Sequence, residues 1–126
     1  MQADAPAVKM ILVVEDIAVT REGLKVILSH AGYAVAVAEN GHEALIRLRA
    51  GLTPDLILLD MLMPVLDGWH FLKQIQQEPR LAAVPILVVT GTILTREWAQ
   101  SQGCAGFVHK PIDPQLLEQE IRRCLA

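Results

Sequence analysis

Uninterrupted apolar runs recur along the chain and are separated by longer segments of mixed character. The most continuous runs cover residues 10–14, 56–59 and 86–89. Such runs are typical of strands that are covered on both faces of a parallel sheet. Residues 33–38 alternate small residues with valines, which predicts a shorter edge strand, and residues 104–108 predict one more strand. The hydrophobic pattern therefore predicts five strands.

The segments between these strands carry apolar residues near helical spacing and predict five helices. Asn40 and Asp113 are suited to cap the second and fifth helices, and Pro79 is predicted to end the third. The apolar positions are Val19, Leu24, Ile27 and Leu28 in the first helix, and Leu117, Ile121, Cys124 and Leu125 in the last.

Five strands that alternate with five helices through short connections define an α/β fold with a doubly wound parallel sheet. We expect residues 1–8 to form a flexible leader and residues 9–126 to form one domain. A chain of 126 residues is long enough to bury the core of one such domain.

Composition and charge exclude several classes of protein. Hydrophobic residues make up 52% of the chain, which is too many for a disordered protein, and no apolar run approaches the ~20 residues of a membrane span. The first residues lack the features of a signal peptide, so we expect a cytoplasmic protein. A net charge of −3 argues against direct nucleic-acid binding. The cysteines and histidines do not have the spacing of a zinc site.

Polar residues follow four of the five predicted strands. They are Glu15 and Asp16 after the first strand, Asp60 after the third, Thr90 after the fourth and Lys110 after the fifth. Taken singly, each has an ordinary explanation as a turn, cap or surface residue. Because open α/β sheets bind ligands where the carboxyl ends of their strands meet, we expect these side chains to converge.

The predicted cluster has the chemistry of a cation-dependent phosphoryl site. Three crowded carboxylates need a cation to hold them ionised, and oxygen ligands favour a hard ion such as Mg²⁺. Lys110 and Thr90 beside them would suit a phosphoryl group attached to Asp60, since carboxylates can accept phosphate covalently.

The whole motif set resembles the receiver domain of bacterial two-component response regulators, over roughly residues 9–125. The positions that carry the resemblance are Glu15-Asp16, Asp60, Met63-Pro64, Asp67-Gly68, Thr90 and Lys110-Pro111. The resemblance implies a flavodoxin-like or CheY-like sheet with strand order 2-1-3-4-5. It also implies a phosphorelay component that is not an enzyme, apart from supporting its own phosphorylation and dephosphorylation.

By this resemblance, Asp60 would receive phosphate from the phosphohistidine of a histidine kinase or a histidine phosphotransfer protein. The cofactor would be Mg²⁺, bound directly by Asp16 and Asp60. Glu15 would act on the ion mostly through water, and Leu62 would contribute its backbone carbonyl. Lys110 would pair with the phosphate.

The resemblance also implies a conformational switch. Thr90 would be the switch hydroxyl, Phe107 the switch aromatic, and the bond between Lys110 and Pro111 would be cis. The face formed by the fourth helix, fifth strand and fifth helix would then contact a downstream protein or a second copy of the chain. No direct contact with nucleic acid or a membrane is expected.

Several positions depart from the most familiar family pattern. Phe107 has no hydroxyl, so its switch would rest on packing alone. Leu62 and Thr92 stand where side chains influence dephosphorylation in the family, and an apolar Leu62 cannot orient a water molecule, which predicts a long-lived phosphorylated form. Trp98 is either a packing residue or part of a partner surface, and Leu116 is expected to be exposed.

Other functions stay open at this point. A phosphatase of the haloacid dehalogenase type normally has a second aspartate two residues after the first, where this chain has Leu62. A flavodoxin-like cofactor binder would need a Ser/Thr/Gly-rich loop after the first strand, which is lacking here. We expect a stand-alone regulator; a receiver cut from a hybrid kinase or larger regulator, and a phosphate-independent scaffold, are the alternatives.

Overall fold

A computed structural model describes residues 7–63 and 67–126 of the chain. The strands are β1 (Met10–Val14), β2 (Ala34–Ala38), β3 (Leu56–Asp60), β4 (Ile86–Thr90) and β5 (Gly106–His109). The helices are α1 (Ala18–His30), α2 (Gly41–Arg49), α3 (Gly68–Gln76), α4 (Pro79–Ala82), α5 (Arg96–Ser101) and α6 (Pro114–Leu125).

The strands form one parallel sheet in the order β2-β1-β3-β4-β5, which confirms the predicted fold class. The crossover after β1 takes β2 to one edge, and the later strands extend the sheet in the other direction. In the register of the sheet, Asp60 pairs with Val89, and Thr90 pairs with His109. The last residues of three adjacent strands therefore lie at one edge, beside the segment that follows β1.

Both faces of the sheet are buried, as the continuous apolar runs predicted. Alternate strand residues such as Leu12, Ile57 and Val88 pack in a core with α2, α3, α4 and α5. The intervening strand residues, such as Ile11 and Leu58, pack in a second core with α1 and α6. Helices thus cover both faces of the sheet that carries the polar edge.

The prediction of five helices was wrong, because a sixth short helix, α4, follows α3 directly. Pro79 was predicted only to end the third helix, but it also stands in the first turn of α4. Proline suits that position because the first helical N–H groups have no partner within the helix. Leu81 is buried and anchors this turn to the core.

Other local predictions had mixed outcomes. The side chains of Asn40 and Asp113 accept hydrogen bonds from the first turns of α2 and α6, so both predicted N-caps are confirmed. Val19, in contrast, is 84% exposed and does not belong to the buried stripe of α1. Cys124 and Leu125 are half-buried at the end of α6.

The predicted leader falls largely on residues 1–6, which lie outside the described residues, so it stays a prediction. Residues 7–9 are exposed and precede β1. Among the helices of the described part of the chain, none combines the length and the apolar character needed to cross a membrane.

Candidate phosphoacceptor site

Three carboxylates meet where β1 and β3 end. These strands are parallel neighbours, so the segment after β1 and the end of β3 lie side by side. Each of Glu15, Asp16 and Asp60 offers a carboxylate oxygen, and these oxygens all lie within 4.8 Å of one another. Asp60 is the last residue of β3 and is buried, although the sequence predicted that this strand would end one residue earlier.

Lys110 brings a positive charge to the same point from the segment after β5. Its Nζ lies 2.5 Å from Glu15 Oε1 and 3.6 Å from Asp60 Oδ2. Its backbone N–H donates to the carbonyl of Thr90, which fixes the segment next to the end of β4. The peptide bond between Lys110 and Pro111 is cis, as the resemblance implied.

One lysine does not balance three carboxylates, and the effect appears in Glu15. Burial and the neighbouring Asp60 carboxylate raise the pKa of Glu15 from its ordinary value of 4.5 to about 7, although Lys110 acts in the opposite direction. Asp16 Oδ1 is buried and has no hydrogen-bond partner among the described residues. An unpartnered buried oxygen beside two other carboxylates fits a hard divalent cation such as Mg²⁺.

Sequence reasoning missed Arg21, which holds the acidic segment in place. Its Nη1 donates to the backbone carbonyls of Glu15, at 3.0 Å, and Asp16, at 3.3 Å. Arg21 lies near the start of α1, only a few residues after Glu15 and Asp16. This closeness in sequence was the one feature from which the contact could have been predicted. A side chain that binds backbone oxygens imposes no pattern on the residue types it contacts, so the signal was weak.

The loop after β3 forms one wall of the site. The backbone N–H of Leu62 donates to Asp60 Oδ1 at 3.2 Å, and its side chain is 70% exposed. A cleft of about 550 Å³ opens above Asp60, and its other walls include Asp16, Thr92 and Lys110. This volume can admit a phosphoryl group together with water. Pro64, in the same loop, lies outside the described residues.

Thr90 is fully buried at the end of β4, and its hydroxyl is engaged within its own loop. Thr90 Oγ1 donates to Thr92 Oγ1 at 3.0 Å and accepts from the backbone N–H of Thr92 at 3.2 Å. The sequence placed Thr90 at the correct edge of the sheet but gave no sign that Thr92 would bind it.

Phe107 is buried in the core, and its backbone is enclosed by charged groups. Its N–H donates to Glu120 Oε2 at 3.1 Å, and its carbonyl accepts from Arg96 Nη2 at 3.3 Å. Glu120 also pairs with Arg96 and Arg123; although burial opposes the charged form, these bonds and the Phe107 N–H lower the pKa of Glu120 to about 2. This ion-pair cluster links α5, β5 and α6, and sequence reasoning missed it.

The predictions for Trp98 and Leu116 can be compared with the exposure of their side chains. Trp98 is half-buried, packs against the core, and has its ring centroid 6.2 Å from that of Trp69, which agrees with a packing residue. Leu116 is 58% exposed, as expected. A groove of about 790 Å³ lies beside Leu116, between α5 and α6 and over β5.

Comparison with known proteins assigns the family. The family model described as "Response regulator receiver domain" matches residues 11–122. Response regulator Rre1 of Synechocystis sp. is 34% identical to this chain over 92% of its length. The match covers 51% of Rre1, and the chain likewise spans about half the length of several other curated relatives, which are named as probable transcriptional regulators.

Solved structures agree with the family model. The chemotaxis protein CheY4 of Vibrio cholerae superimposes with a TM-score of 0.86 at 30% identity, over 94% of this chain and 100% of CheY4. The receiver domain of the sensor histidine kinase PA1611 from Pseudomonas aeruginosa gives a TM-score of 0.83 at 30% identity, over 94% of this chain and 98% of that domain. That structure contains a magnesium ion coordinated in its active-site cleft.

The chain belongs to the response regulator receiver domain family of two-component signal transduction. Receiver domains of this family are signalling domains that interact with histidine kinases and with downstream partners. The fold, the strand order and the acidic cluster at the end of β3 all agree with this assignment.

Proposed function

We propose that Asp60 accepts a phosphoryl group from the phosphohistidine of a histidine kinase or a histidine phosphotransfer protein. The observation that carries the proposal is the position of the Asp60 carboxylate, which lies in the acidic cluster with Lys110 Nζ 3.6 Å away and a cleft above it. A carboxylate in this setting has a counter-charge for an incoming phosphate and space in which to receive it.

In the proposed step, an Asp60 carboxylate oxygen attacks phosphorus and forms a new O–P bond. The N–P bond of the phosphohistidine breaks, its electron pair stays on the imidazole nitrogen, and that nitrogen takes up a proton from solvent. Lys110 neutralises charge on the phosphoryl oxygens, and Leu62 N–H keeps the Asp60 side chain oriented. Positioning and charge neutralisation are the main requirements of phosphoryl transfer.

Asp16, Asp60 and Glu15 would hold Mg²⁺, together with the backbone carbonyl of Leu62. When bound, the ion would balance the charge of the carboxylates and of the transferring phosphoryl group. The unpartnered Asp16 Oδ1 and the raised pKa of Glu15 support this assignment. Arg21 fixes the backbone of both acidic residues and so keeps their carboxylates in place for the ion.

Phosphorylation would change the face formed by α5, β5 and α6, which are the fourth helix, fifth strand and fifth helix of the sequence analysis. A phosphoryl group adds about −1.5 to −2 charge, which Thr90 and Lys110 can bind by moving their loops inward. Phe107 would respond by repacking alone, since it has no hydroxyl. The exposed Leu116 beside the groove on this face supports contact with a downstream protein or a second copy of the chain.

The proposed phosphoacceptor role also defines the expected activity, location and contacts of the domain. The domain would support its own phosphorylation and dephosphorylation, act on no other substrate, and work in the cytoplasm, where it would contact neither nucleic acid nor a membrane directly. A phosphate-independent scaffold is the second candidate. The complete set of Asp60, Thr90 and Lys110 at one edge of the sheet favours the phosphoacceptor.

The test is incubation with phosphoramidate, with and without Mg²⁺, followed by mass spectrometry of the intact protein. We expect a Mg²⁺-dependent adduct of ~80 Da that Asp60→Asn abolishes. Asp67→Asn is the matched control, because Asp67 caps α3 seven residues away and asparagine is also an effective cap. An unmodified wild-type protein would favour the scaffold.

The stabilisation of the protein by Mg²⁺ should increase as the pH rises from 6 to 8. The pKa of Glu15 in the folded protein is about 7, above its ordinary value of 4.5. Protonation of Glu15 therefore stabilises the ion-free folded protein at low pH, and this stabilisation is lost as the pH rises from about 4.5 to about 7. Bound Mg²⁺ would favour ionised Glu15 instead. Thermal unfolding with and without Mg²⁺ measures the difference, and Glu15→Gln should flatten it. An equal or smaller effect of Mg²⁺ at pH 8 would contradict this prediction.

Replacing Leu62 with asparagine should shorten the lifetime of the phosphorylated protein by about 3- to 10-fold, the range expected from one added hydrogen bond to an attacking water. Leu62 reaches the mouth of the cleft and is 70% exposed, but it has no polar group with which to orient water. Loss of the adduct over time gives the lifetime. Ile46→Asn, an equivalent change at an exposed position of α2, should leave it unchanged. Equal or slower loss from Leu62→Asn would exclude this role.

A further inference from the structure

In the resting structure the Thr90 hydroxyl donates its one hydrogen bond to the hydroxyl of Thr92. Thr90 Oγ1 donates to Thr92 Oγ1 at 3.0 Å, and it also accepts from the Thr92 backbone N–H at 3.2 Å. Thr90 is fully buried, so its hydroxyl has no bulk water to exchange with. A hydroxyl has one proton and donates it to one acceptor at a time. Thr90 therefore cannot keep its bond to Thr92 and donate to a phosphoryl oxygen on Asp60.

We propose that Thr92 is a positioning residue that holds the Thr90 hydroxyl in its resting orientation and so restrains the response to phosphorylation. The inference rests on the proposed function, because it concerns the same switch. Thr92 also lines the cleft above Asp60, so the bond that must break lies at the edge of the reacting site.

The contacts of Thr92 continue from the switch towards α5. Thr92 Oγ1 accepts from the backbone N–H of Leu94 at 3.3 Å, and the next residue, Thr95, caps α5 by accepting from the N–H of Trp98 at 3.1 Å. Leu94 is half-buried against the core. When the Thr90 hydroxyl donates to a phosphoryl group instead, Thr92 Oγ1 loses the hydrogen bond from Thr90 and keeps the one from the Leu94 N–H. The loop between β4 and α5 is then held by one side-chain bond less.

Thr92→Val tests the inference, since valine has nearly the same shape as threonine and cannot accept a hydrogen bond from the Thr90 hydroxyl. Without the competing acceptor, the Thr90 hydroxyl should meet a phosphoryl group more readily. Beryllium fluoride with Mg²⁺, which mimics a phosphoryl group on a carboxylate, should bind Thr92→Val about 2- to 10-fold more tightly than wild type, the range expected for one net hydrogen bond. Thr92→Val should also be phosphorylated by phosphoramidate faster than wild type.

Thr92→Ser restores the hydroxyl and should restore the wild-type affinity. In a Thr90→Val background, Thr92→Val should have no effect on beryllium fluoride affinity, because the donor is already absent. A purely structural role for Thr92 would give the same change in both backgrounds. Urea unfolding checks that each variant is folded, and Thr92→Ala serves as the second hydroxyl-free variant.

The outcomes separate the two proposals. Wild-type protein that binds beryllium fluoride while Thr92→Val and Thr92→Ala bind it no more tightly would overturn the inference alone. An equal gain in the presence and absence of the Thr90 hydroxyl would also overturn it. Wild-type protein that neither binds beryllium fluoride nor reacts with phosphoramidate would overturn the proposed function and, with it, the role of Thr92.

Discussion

Replacing Lys110 with methionine should lower the rate of Asp60 phosphorylation by about 100-fold, the size of effect seen when a charge-stabilising group is removed from an active site. Lys110 Nζ lies 3.6 Å from an oxygen of the Asp60 carboxylate and 2.5 Å from an oxygen of the Glu15 carboxylate. Methionine keeps most of the length and apolar volume of the side chain but removes the charge. The rate of adduct formation with phosphoramidate measures the loss.

The control for this variant is Lys25→Met, which makes the same change of net charge at an exposed position of α1. It should react at the wild-type rate. A Lys110→Met variant that reacts as fast as Lys25→Met would show that Lys110 contributes no charge stabilisation to the transfer. Lys110→Arg should not rescue the rate, since the planar guanidinium does not fit the position of a compact ammonium group.

Replacing Gly68 with alanine should disturb both the stability of the protein and the site. A Cβ at Gly68 would lie 2.6 Å from the Cα of Met61 and 2.8 Å from the backbone oxygen of Asp60. Both contacts are with backbone, so the end of β3 or the start of α3 must move. We expect a loss of about 1–3 kcal/mol in the free energy of unfolding. Because the displaced backbone carries Asp60, phosphorylation should slow by about 10- to 100-fold.

Gly23→Ala is the matched control for Gly68→Ala, since both glycines lie in helices. A Cβ at Gly23 meets nothing within 4 Å, so the variant should gain up to about 1 kcal/mol from helix propensity and react normally. Urea unfolding and the phosphoramidate assay provide the two measurements. Equal behaviour of the two alanine variants would refute the argument from close packing at Gly68.

The sheet and the acidic cluster were predictable because their signals are local. Buried strands require continuous apolar runs, and a parallel sheet brings the ends of those runs to one edge, so Asp60 and Lys110 could be placed together before any contact was known. The caps Asn40 and Asp113 were predictable for the same reason. Their side chains bind N–H groups within three residues, and that spacing is visible in the sequence.

The features that were missed depend on backbone contacts or on distant residues. Arg21 binds the backbone carbonyl oxygens of Glu15 and Asp16. Because every residue has such an oxygen, the identities of Glu15 and Asp16 do not predict this contact. Glu120 meets Arg96 and the Phe107 N–H only after α6 packs on β5. A proline such as Pro79 can end one helix or begin another, so the sequence alone did not predict α4. The packing of Leu81 in the core favours the second helix.

The orientation of Thr90 could not be predicted either. Its place at the end of β4 follows from the apolar run before it, but the choice of hydrogen-bond partner depends on the turn that brings Thr92 back towards it. The sequence therefore predicted which groups meet at the site, while the structure adds which of them are already bonded in the resting state.

Phosphorylation should convert Asp60 itself to an acyl phosphate. After reaction with phosphoramidate and Mg²⁺, reduction by borohydride converts a phosphorylated aspartate to homoserine, which peptide mass spectrometry can locate. We expect homoserine at position 60 and unmodified aspartate at Asp16 and Asp67, with no conversion when Mg²⁺ is omitted. Conversion at another residue, or none at position 60 in a folded protein, would show that Asp60 is not the phosphoacceptor.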